Sequence, residues 1–510
     1  MEKQLNMQQQ QPLPPQPYYT GGSLPQCIQA EKAVILGEKL QKMIDTPRVF
    51  GLGCMIYGVI FAICLYKGLY GISIPVLAAV SMGMLVWGFR YLNIGIKKKD
   101  WFYFIAWELL AISNCLTGST ALIVFNTCGM ALLFLSFILT HFCSTATWGF
   151  AKYLGELFLM IFAPIAYIGY PFKAIKAYFS EKEKGKNGVA KYIWLGILIA
   201  IPFLFIIIGL LSSADVVFRS LFTDFFAHIQ LPERPFYLFF LLVLGMVGSY
   251  SLLAYMGDGQ IKETTKERKK WEPVIGITFL SLITAVYIIF SVIQISYLFL
   301  GSFELPAGYS YARYAREGFF QLLFVCILNL IIILVCVSHF AEKMALKIIM
   351  TVFSICTYIM LISSALRMVM YINQYQLTFL RVLVLWALAV IAILLAACIA
   401  TIYKKDFPLF QYTLIVVTCC YILFSFAKPD YFIAKYNLST GEVQDWHYLV
   451  TLSSDVVPAL EEAGILDEMM SGKEVYDMGK LNLYQYQAED MGILDFNISY
   501  YRAGRAMKYY

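Results

Sequence analysis

Residues Val382–Tyr403 read VLVLWALAVIAILLAACIATIY, a run of 22 residues without a charged side chain. A helix that spans the hydrocarbon core of a bilayer needs about 20 mainly apolar residues. Similar runs recur along the chain, and 60% of its 510 residues are hydrophobic whereas 14% are charged. Soluble domains carry roughly 25% charged residues. The sequence therefore predicts an all-α polytopic transmembrane helix bundle and excludes an ordinary soluble enzyme.

Eleven apolar runs are predicted to span the membrane. They are Val49–Tyr66, Leu69–Phe89, Trp101–Leu116, Ser119–Phe142, Tyr192–Leu211, Phe236–Met256, Val274–Leu300, Phe319–His339, Ile348–Leu366, Val382–Tyr403 and Leu409–Ala427. A further segment, Tyr153–Pro171, is apolar enough to span but contains Glu156 and Pro164. If it crossed, six lysines that follow it would move to the opposite side. It is therefore predicted to be interfacial or re-entrant.

The basic residues of the connecting loops lie mainly on one side of the predicted bundle. Loops on that side carry 19 Lys and Arg residues, and loops on the other side carry 7. Lysine and arginine are enriched in cytoplasmic loops. The chain is therefore predicted to lie in the cell membrane with a cytoplasmic N-terminus and an extracytoplasmic C-terminus.

The two ends of the chain differ in composition from the region between them. Residues 1–48 form a Gln/Pro-rich leader, predicted to be cytoplasmic and disordered apart from a short amphipathic helix within Ile28–Ile44. Residues 49–427 form the membrane domain. Residues 428–510 form an acidic tail with 13 acidic and 7 basic residues. The tail is predicted to be a small helical extracytoplasmic appendage that packs on the membrane domain or on a partner.

Polar residues within the predicted spans are candidates for function. Glu108 lies near the middle of its span, and Asn329 is one of several amides at depth. An ionisable residue in the bilayer suggests a proton or ion relay, as a secondary transporter with a midplane polar site requires. The alternative is that these side chains form hydrogen bonds between helices. The sequence leaves both interpretations open.

The outward loops carry the charges that best suit a ligand site. Arginine, with its planar fork of donors, binds phosphate and carboxylate groups. We expect binding of an anionic envelope ligand if Arg316 and Arg367 converge in one outward cavity with Glu304 or Asp215. The alternative is that the charges pair with one another and anchor helices at the interface. The predicted ligand-binding residues are Arg316, Arg367, Glu304, Asp215 and Arg313.

Known catalytic and metal-binding motifs are absent from the sequence. The four histidines are far apart, and no HExxH, Walker A, GxGxxG or GxSxG pattern occurs. We therefore predict no catalytic residue, no metal site and no cofactor. The lysine clusters lie in short loops rather than on a folded basic surface, so nucleic-acid binding is not expected.

Three stretches resemble a known family. They are LPAGYSYARYAREGFFQL at Leu305–Leu322, SALRMVMYINQYQLTFLRV at Ser364–Val382 and DWHYLVTLSSDVVPAL at Asp445–Leu460. The chain resembles the bacterial multi-pass membrane family catalogued as domain of unknown function 4173, which is related to the 4153 family. The family pattern favours glycine where Gln376 stands and a basic residue where Phe379 stands. The resemblance implies a many-helix membrane core and no established activity.

These observations lead to one main functional hypothesis and one alternative. The main hypothesis is a non-enzymatic binding or sensory component of the cell envelope, which engages an anionic ligand or a membrane protein partner. The alternative is a secondary transporter, which predicts polar residues at the midplane rather than at the outer rim. No inverted repeat is visible in the sequence.

Overall fold

The computed structural model describes residues 37–143, 150–182, 233–258, 270–296, 311–404, 407–440, 446–466 and 491–507, together with a few single positions between these ranges. Within these residues the protein is α-helical and has no β-strand, and its only bridge pairs Trp271 with Phe340. The predicted all-α helix bundle is confirmed. The predicted span Tyr192–Leu211 and the side chains of residues 311–317 lie outside the described part of the chain.

The helices form two lobes with a tail. The first lobe contains α2 (Pro47–Leu65), α3 (Ser73–Tyr91), α4 (Asp100–Leu116), α5 (Thr120–Phe142) and α8 (Glu233–Asp258). The second lobe contains α9 (Pro273–Gln294), α10 (Tyr311–His339), α11 (Met344–Tyr375) and α12 (Phe379–Tyr403). Helix α13 (Leu409–Phe426) packs against both α12 and α4 and so joins the two lobes. In the tail, the helices are α14 (Pro429–Thr440), α15 (Trp446–Thr451), α16 (Val457–Glu462) and α17 (Ile498–Met507).

Ten helical segments of the described chain are long and apolar enough to cross a membrane. Nine of them coincide with predicted spans, and the tenth is Lys152–Lys176. Helix α11 has 32 residues, where the sequence predicted a span only over Ile348–Leu366. At ~1.5 Å per residue it is about 48 Å long, which exceeds the ~30 Å hydrocarbon core. The helix therefore continues past the membrane, and Arg367 lies within it rather than in a loop.

The two ends of the bundle carry different groups. We call one the tail end, because the tail packs there against the α4–α5 and α11–α12 loops. We call the other the lysine end. It carries the basic residues that follow or precede the apolar helices, namely Arg90, Lys97, Lys99, Lys270, Lys343 and Lys404. The assignment of the lysine end to the cytoplasm stays a prediction from the charge distribution.

The last residues of the predicted leader are folded onto the first lobe. Helix α1 (Glu38–Asp45) buries Leu40 and Met43 completely. Lys42 Nζ donates to the Tyr91 carbonyl over 2.6 Å, and Tyr250 donates to the Met43 carbonyl over 3.3 Å. The end of the leader thus contains a short helix that overlaps the amphipathic helix predicted over Ile28–Ile44, and the lysine end of the bundle covers its apolar face.

The segment predicted to be interfacial or re-entrant is broken in the middle. Helix α6 (Phe150–Phe162) is separated from α7 (Tyr170–Lys182) by a 3-10 turn that contains Pro164. The Tyr153 ring stacks on Phe410, with centroids 3.4 Å apart, and Tyr167 donates to Asp258 over 2.7 Å. Both partners lie at the lysine end. Although Lys152–Lys176 is apolar enough to span, these contacts support the interfacial or re-entrant placement.

Candidate functional site

One buried carboxylate of the tail accepts hydrogen bonds from the α4–α5 loop. Asp455 Oδ2 accepts hydrogen bonds from the Thr117 hydroxyl over 2.6 Å and the Gly118 amide over 3.2 Å. Its other oxygen lies 3.2 Å from Lys428 Nζ, and the Asp455 side chain is only 1% exposed. A buried carboxylate is stable when a cation and hydrogen-bond donors surround it. Asp455 therefore fixes the tail to the first lobe.

A second group of contacts completes the same interface. Asn497 Nδ2 donates to the carbonyls of Asn114 and Thr117, over 3.1 and 2.9 Å, at the end of α4. The last carbonyls of a helix have no partner within the helix, so this amide caps α4. Beside it, the hydroxyls of Ser454 and Ser499 lie 2.7 Å apart. A Cβ added to Gly118 would lie 2.0 Å from Ser454 Oγ, so only glycine fits this approach.

Asp430 is a second buried acid in the tail. Its Oδ2 accepts from the Ser453 hydroxyl over 2.6 Å, and the residue is only 3% exposed. Its Oδ1 is buried and has no hydrogen-bond partner among the described residues. Burial raises the pKa of the Asp430 carboxyl above its ordinary value, the Ser453 hydrogen bond opposes this rise, and the nearby Asp455 charge adds to it. The charge state of Asp430 therefore bears on its hydrogen bond to Ser453, which directly precedes the Ser454 and Asp455 contacts with the first lobe.

The tail also contacts the α11–α12 loop of the second lobe. The side-chain amide of Asn437 pairs with the backbone of Leu377, accepting from its N–H over 2.8 Å and donating to its carbonyl over 2.9 Å. The Phe379 amide donates to the Tyr448 hydroxyl over 2.8 Å. Gln376 adopts φ 62° and ψ −179°, a region occupied almost only by glycine. Glycine would adopt this conformation without the strain that a Cβ causes.

Arg367, a predicted ligand-binding residue, lies inside the second lobe. It is 7% exposed, and its Nη2 donates to Gln294 Oε1 over 3.3 Å. The same Gln294 oxygen accepts from Ser363 over 2.5 Å. A Cβ added to Gly318 would lie 2.0 Å from Arg367 Nη1. The guanidinium therefore packs against the α10 backbone, two residues from Arg316, at the junction of α9, α10 and α11.

The remaining predicted rim residues are only partly described. Asp215 is exposed, and its carboxylate accepts a hydrogen bond from the Phe218 amide over 2.7 Å. Glu304 and the side chains of Arg313 and Arg316 lie outside the described part of the chain. The convergence of Arg316 and Arg367 with Glu304 or Asp215 in one cavity therefore stays a prediction.

A cleft of about 230 Å³ lies between α10, α11 and α12 at the tail end. Arg381 lines it, and its guanidinium lies 4.3 Å from the centroid of the Tyr371 ring. Arg381 Nη1 also donates to the carbonyls of Tyr375, over 2.6 Å, and Gln376. Arg381 was not among the predicted ligand-binding residues. The sequence feature that could have identified Arg381 is its position at the start of α12, directly after the α11–α12 loop.

The amides at depth form hydrogen bonds between helices. Asn329 is fully buried, accepts from the Tyr287 hydroxyl over 2.9 Å and donates to the Thr357 hydroxyl over 3.0 Å. It therefore joins α9, α10 and α11. In the first lobe, Asn126 donates to Asn114 and accepts from Tyr421 and Ser425, which joins α4, α5 and α13.

Glu108 differs from these amides because one of its carboxylate oxygens forms no hydrogen bond with the part of the chain that the structure describes. It is eight residues from either end of α4, so it lies about 12 Å from each. Its side chain is half-buried, and Oε2 is buried without a hydrogen-bond partner among the described residues. Three residues further on, Ala111 packs against Ile74 and Ala78 of α3. Glu108 therefore lies on the side of α4 that faces α3.

A buried Asp–His pair at the lysine end was not predicted. His141 Nδ1 lies 2.7 Å from Asp100 Oδ2, and the two side chains are 3% and 0% exposed. Asp100 also accepts from the Lys97 amide at the start of α4, and Lys99 Nζ donates to the Thr140 carbonyl near the end of α5. The pair thus connects two helix ends. No group of three or more potential metal ligands occurs in the described residues.

Comparison with known proteins gives one match. The family model for the domain of unknown function DUF4153 matches residues 104–463, which is more than two thirds of the chain. This is the family that the sequence resemblance gave as the relative of the 4173 family. No curated protein and no solved structure matches the chain significantly. The matched range begins within α4 and ends just after α16 in the tail.

Proposed function

We propose, on the premise that this chain belongs to the DUF4153 family, that it is a non-enzymatic binding or sensory component of the cell envelope. The many apolar helices make it an integral membrane protein. The observation that carries the proposal is the attachment of one tail to loops of both lobes. Asp455 holds the α4–α5 loop, and Asn437 holds the α11–α12 loop. A ligand that changes the conformation of either loop would therefore change the hydrogen bonds between that loop and the tail.

The second lobe provides the features that suit an anionic ligand. Arg381 lines a cleft next to the loop that Asn437 holds. Arg367 is buried behind it, against α10, where Arg313 and Arg316 also lie. We assign Arg367 a supporting role, and we retain Arg316, Arg313, Glu304 and Asp215 as proposed contributors to the outward site. The proposed partners are the bilayer itself, an anionic envelope ligand and a membrane protein that binds the tail.

The sensory role requires that ligand binding and tail docking are coupled. A ligand shifts a conformational equilibrium only when it binds the two states with different affinity. We expect vesicles that contain phosphatidylglycerol to change hydrogen exchange in residues 429–462 of the reconstituted protein, relative to vesicles of phosphatidylcholine alone. Asn437→Ala should remove this response without abolishing lipid binding, whereas the exposed Ser439→Ala on the same helix should keep it. An unchanged response in Asn437→Ala would exclude this route of coupling.

The proposed orientation places the tail outside the cell. A single cysteine introduced at Gly441, in a variant whose accessible native cysteines are replaced, should react with a membrane-impermeant maleimide in intact cells. A cysteine introduced at Lys184 should react only after permeabilisation. Labelling of Lys184→Cys in intact cells, with protection of Gly441→Cys, would reverse the proposed orientation in the cell membrane.

A transporter remains the second candidate because of Glu108. Glu108 lies near the middle of α4, which the sequence predicts to span the membrane, and its Oε2 has no hydrogen-bond partner among the described residues. Proton-coupled transporters use carboxylates at such a depth. In proteoliposomes with an imposed pH gradient, Glu108→Gln should then abolish proton flux while the wild type conducts. If neither protein conducts and Glu108→Gln changes only the thermal stability, the carboxylate has a structural role.

A further inference from the structure

The cleft in the second lobe has a polar end and an apolar end. Thr378 and Arg381 lie at the start of α12, and Tyr371 lies near the end of α11, so they form the end next to the α11–α12 loop. Phe319, Met368 and Val384 line the cleft further towards the interior of the bundle. From Thr378 to Val384 the cleft extends about 9 Å along the helix axis. It therefore runs along the first two turns of α12, a helix that is long and apolar enough to cross a membrane.

Arg381 is held so that part of its guanidinium faces the cleft. One face of the group is covered by the Tyr371 ring, and Nη1 caps the carbonyls at the end of α11. Its Nη2 and Nε hydrogens are not used by any hydrogen bond among the described residues, and it forms no ion pair with them. An arginine with a fixed orientation loses little side-chain freedom when it binds an anion. The cleft therefore has a preorganised cationic end.

Residues beside the apolar part of the cleft face away from the bundle. Phe320 is 51% exposed and Leu380 is 56% exposed, and both line the cleft on helices that are apolar enough to cross the membrane. Pockets that enclose a drug-sized ligand have volumes of roughly 300–1,000 Å³, so 230 Å³ is too small for a whole amphiphile. It is suited to part of a molecule whose remainder lies in the bilayer.

We propose that this cleft binds one anionic phospholipid from the leaflet at the tail end. Its phosphate is bound by Arg381, and the first part of an acyl chain lies against Phe319, Phe320 and Val384. The proposal rests on the proposed function in that it names the ligand class of the outward site. A soluble anion uses only Arg381 and leaves the apolar wall without a partner. A lipid uses both ends of the cleft, and lipid is the molecule that already surrounds Phe320 and Leu380.

The test measures lipid retained by the full-length protein. The protein is taken from nanodiscs that contain equal amounts of phosphatidylglycerol and phosphatidylcholine with identical chains, and retained lipids are counted by native mass spectrometry. Charge-assisted hydrogen bonds contribute about 1.5–3 kcal/mol, so Arg381→Gln should lower phosphatidylglycerol retention by roughly tenfold or more. Arg502→Gln removes one positive charge from an exposed position in the tail and should leave retention unchanged.

A second pair of variants tests the apolar wall and does not depend on the Arg381 variant folding. Phe320→Ala should lower retention of both lipids several-fold, whereas Phe158→Ala, at a position on α6 that is at least as exposed, should not affect this site. Equal retention in Phe320→Ala and Phe158→Ala would overturn the proposal. So would equal retention in Arg381→Gln and Arg502→Gln, or displacement of phosphatidylglycerol by millimolar inorganic phosphate. If retention depends on Arg381 while hydrogen exchange in the tail does not respond, the sensory function fails and the lipid site stands.

Discussion

The two lobes differ in what covers them at the tail end. In the first lobe, the tail buries Asp455 and Asn497 against the α4–α5 loop, where both side chains form hydrogen bonds. In the second lobe, the tail holds the backbone of one loop through Asn437 and leaves the cleft beside Arg381 open. This difference supports the proposal that the contact with the first lobe anchors the tail and that a ligand binds at the second lobe. Four changes test this division.

The largest effect is expected from Asp455→Ala. The change removes the acceptor of the Thr117 hydroxyl and the Gly118 amide and the ion-pair partner of Lys428. Lys428 keeps only its hydrogen bond to the Leu116 carbonyl among the described residues. Loss of one partner from a buried ion pair costs about 3–5 kcal/mol, and we expect the lower end because Lys428 is partly exposed. Denaturant unfolding in detergent measures the loss. Glu461→Ala, at an exposed position on α16, is the control, and equal stability of the two variants would show that the tail is not anchored here.

Gly118→Ala should have the next largest effect. The new Cβ would lie 2.0 Å from Ser454 Oγ and force the serine pair away from the loop. Overpacking of this kind costs about 1–3 kcal/mol. Limited proteolysis should cut the tail of Gly118→Ala faster than that of wild type. Gly83→Ala meets no atom within 4 Å and should match wild type, and an equal cleavage rate in both variants would contradict the close approach.

Gln376→Gly should stabilise the second lobe. The residue occupies a backbone region that costs a side-chain-bearing residue about 1–3 kcal/mol. Glycine relieves this strain but adds freedom to the unfolded chain, which costs about 0.4–1 kcal/mol. We therefore expect a net gain of about 1 kcal/mol, seen as a higher melting temperature. Gln376→Ala keeps the strain and should show no gain, so a gain in both variants would mean that the side chain, and not the backbone, is responsible.

The smallest effect is expected from pH acting on Asp430. Burial raises the pKa of this carboxyl above its unfolded value, while Ser453 opposes the rise. The folded state therefore holds the proton more tightly, so its contribution to stability is present below the unfolded pKa and is lost as pH rises through the folded pKa. Tail docking should be firmer at mildly acidic pH than at neutral pH. Asp430→Asn should flatten this dependence, and an unchanged pH profile in that variant would assign it to another group.

The positions of the helices could be predicted from the sequence because the signal is local. Val382–Tyr403 was predicted to span, and helix α12 begins at Phe379 and ends at Tyr403. The end of α11 could not be predicted in this way. There the helix continues through Arg367 to Tyr375, and polar residues outside the hydrocarbon core do not reveal whether the backbone stays helical.

The candidate site could be predicted only in part, because it is built from distant segments. Thr117 and Asp455 are separated by 338 positions. The residues around either one do not indicate that the two are in contact. The charges of the outer rim, by contrast, were visible in the loops. Which of them was buried was not visible, because that depends on how closely Gly318 lets α10 approach Arg367.

The cap on α4 has a consequence for biosynthesis. The Asn114 carbonyl is bound by Asn497, which is made 383 residues later. At about 5–20 residues per second, the ribosome needs roughly 20–80 s to cover that distance. During this interval the end of α4 is present without this cap. A chain that stops just before residue 497 still contains Asp455, so it retains that contact with the α4–α5 loop and lacks the amide cap.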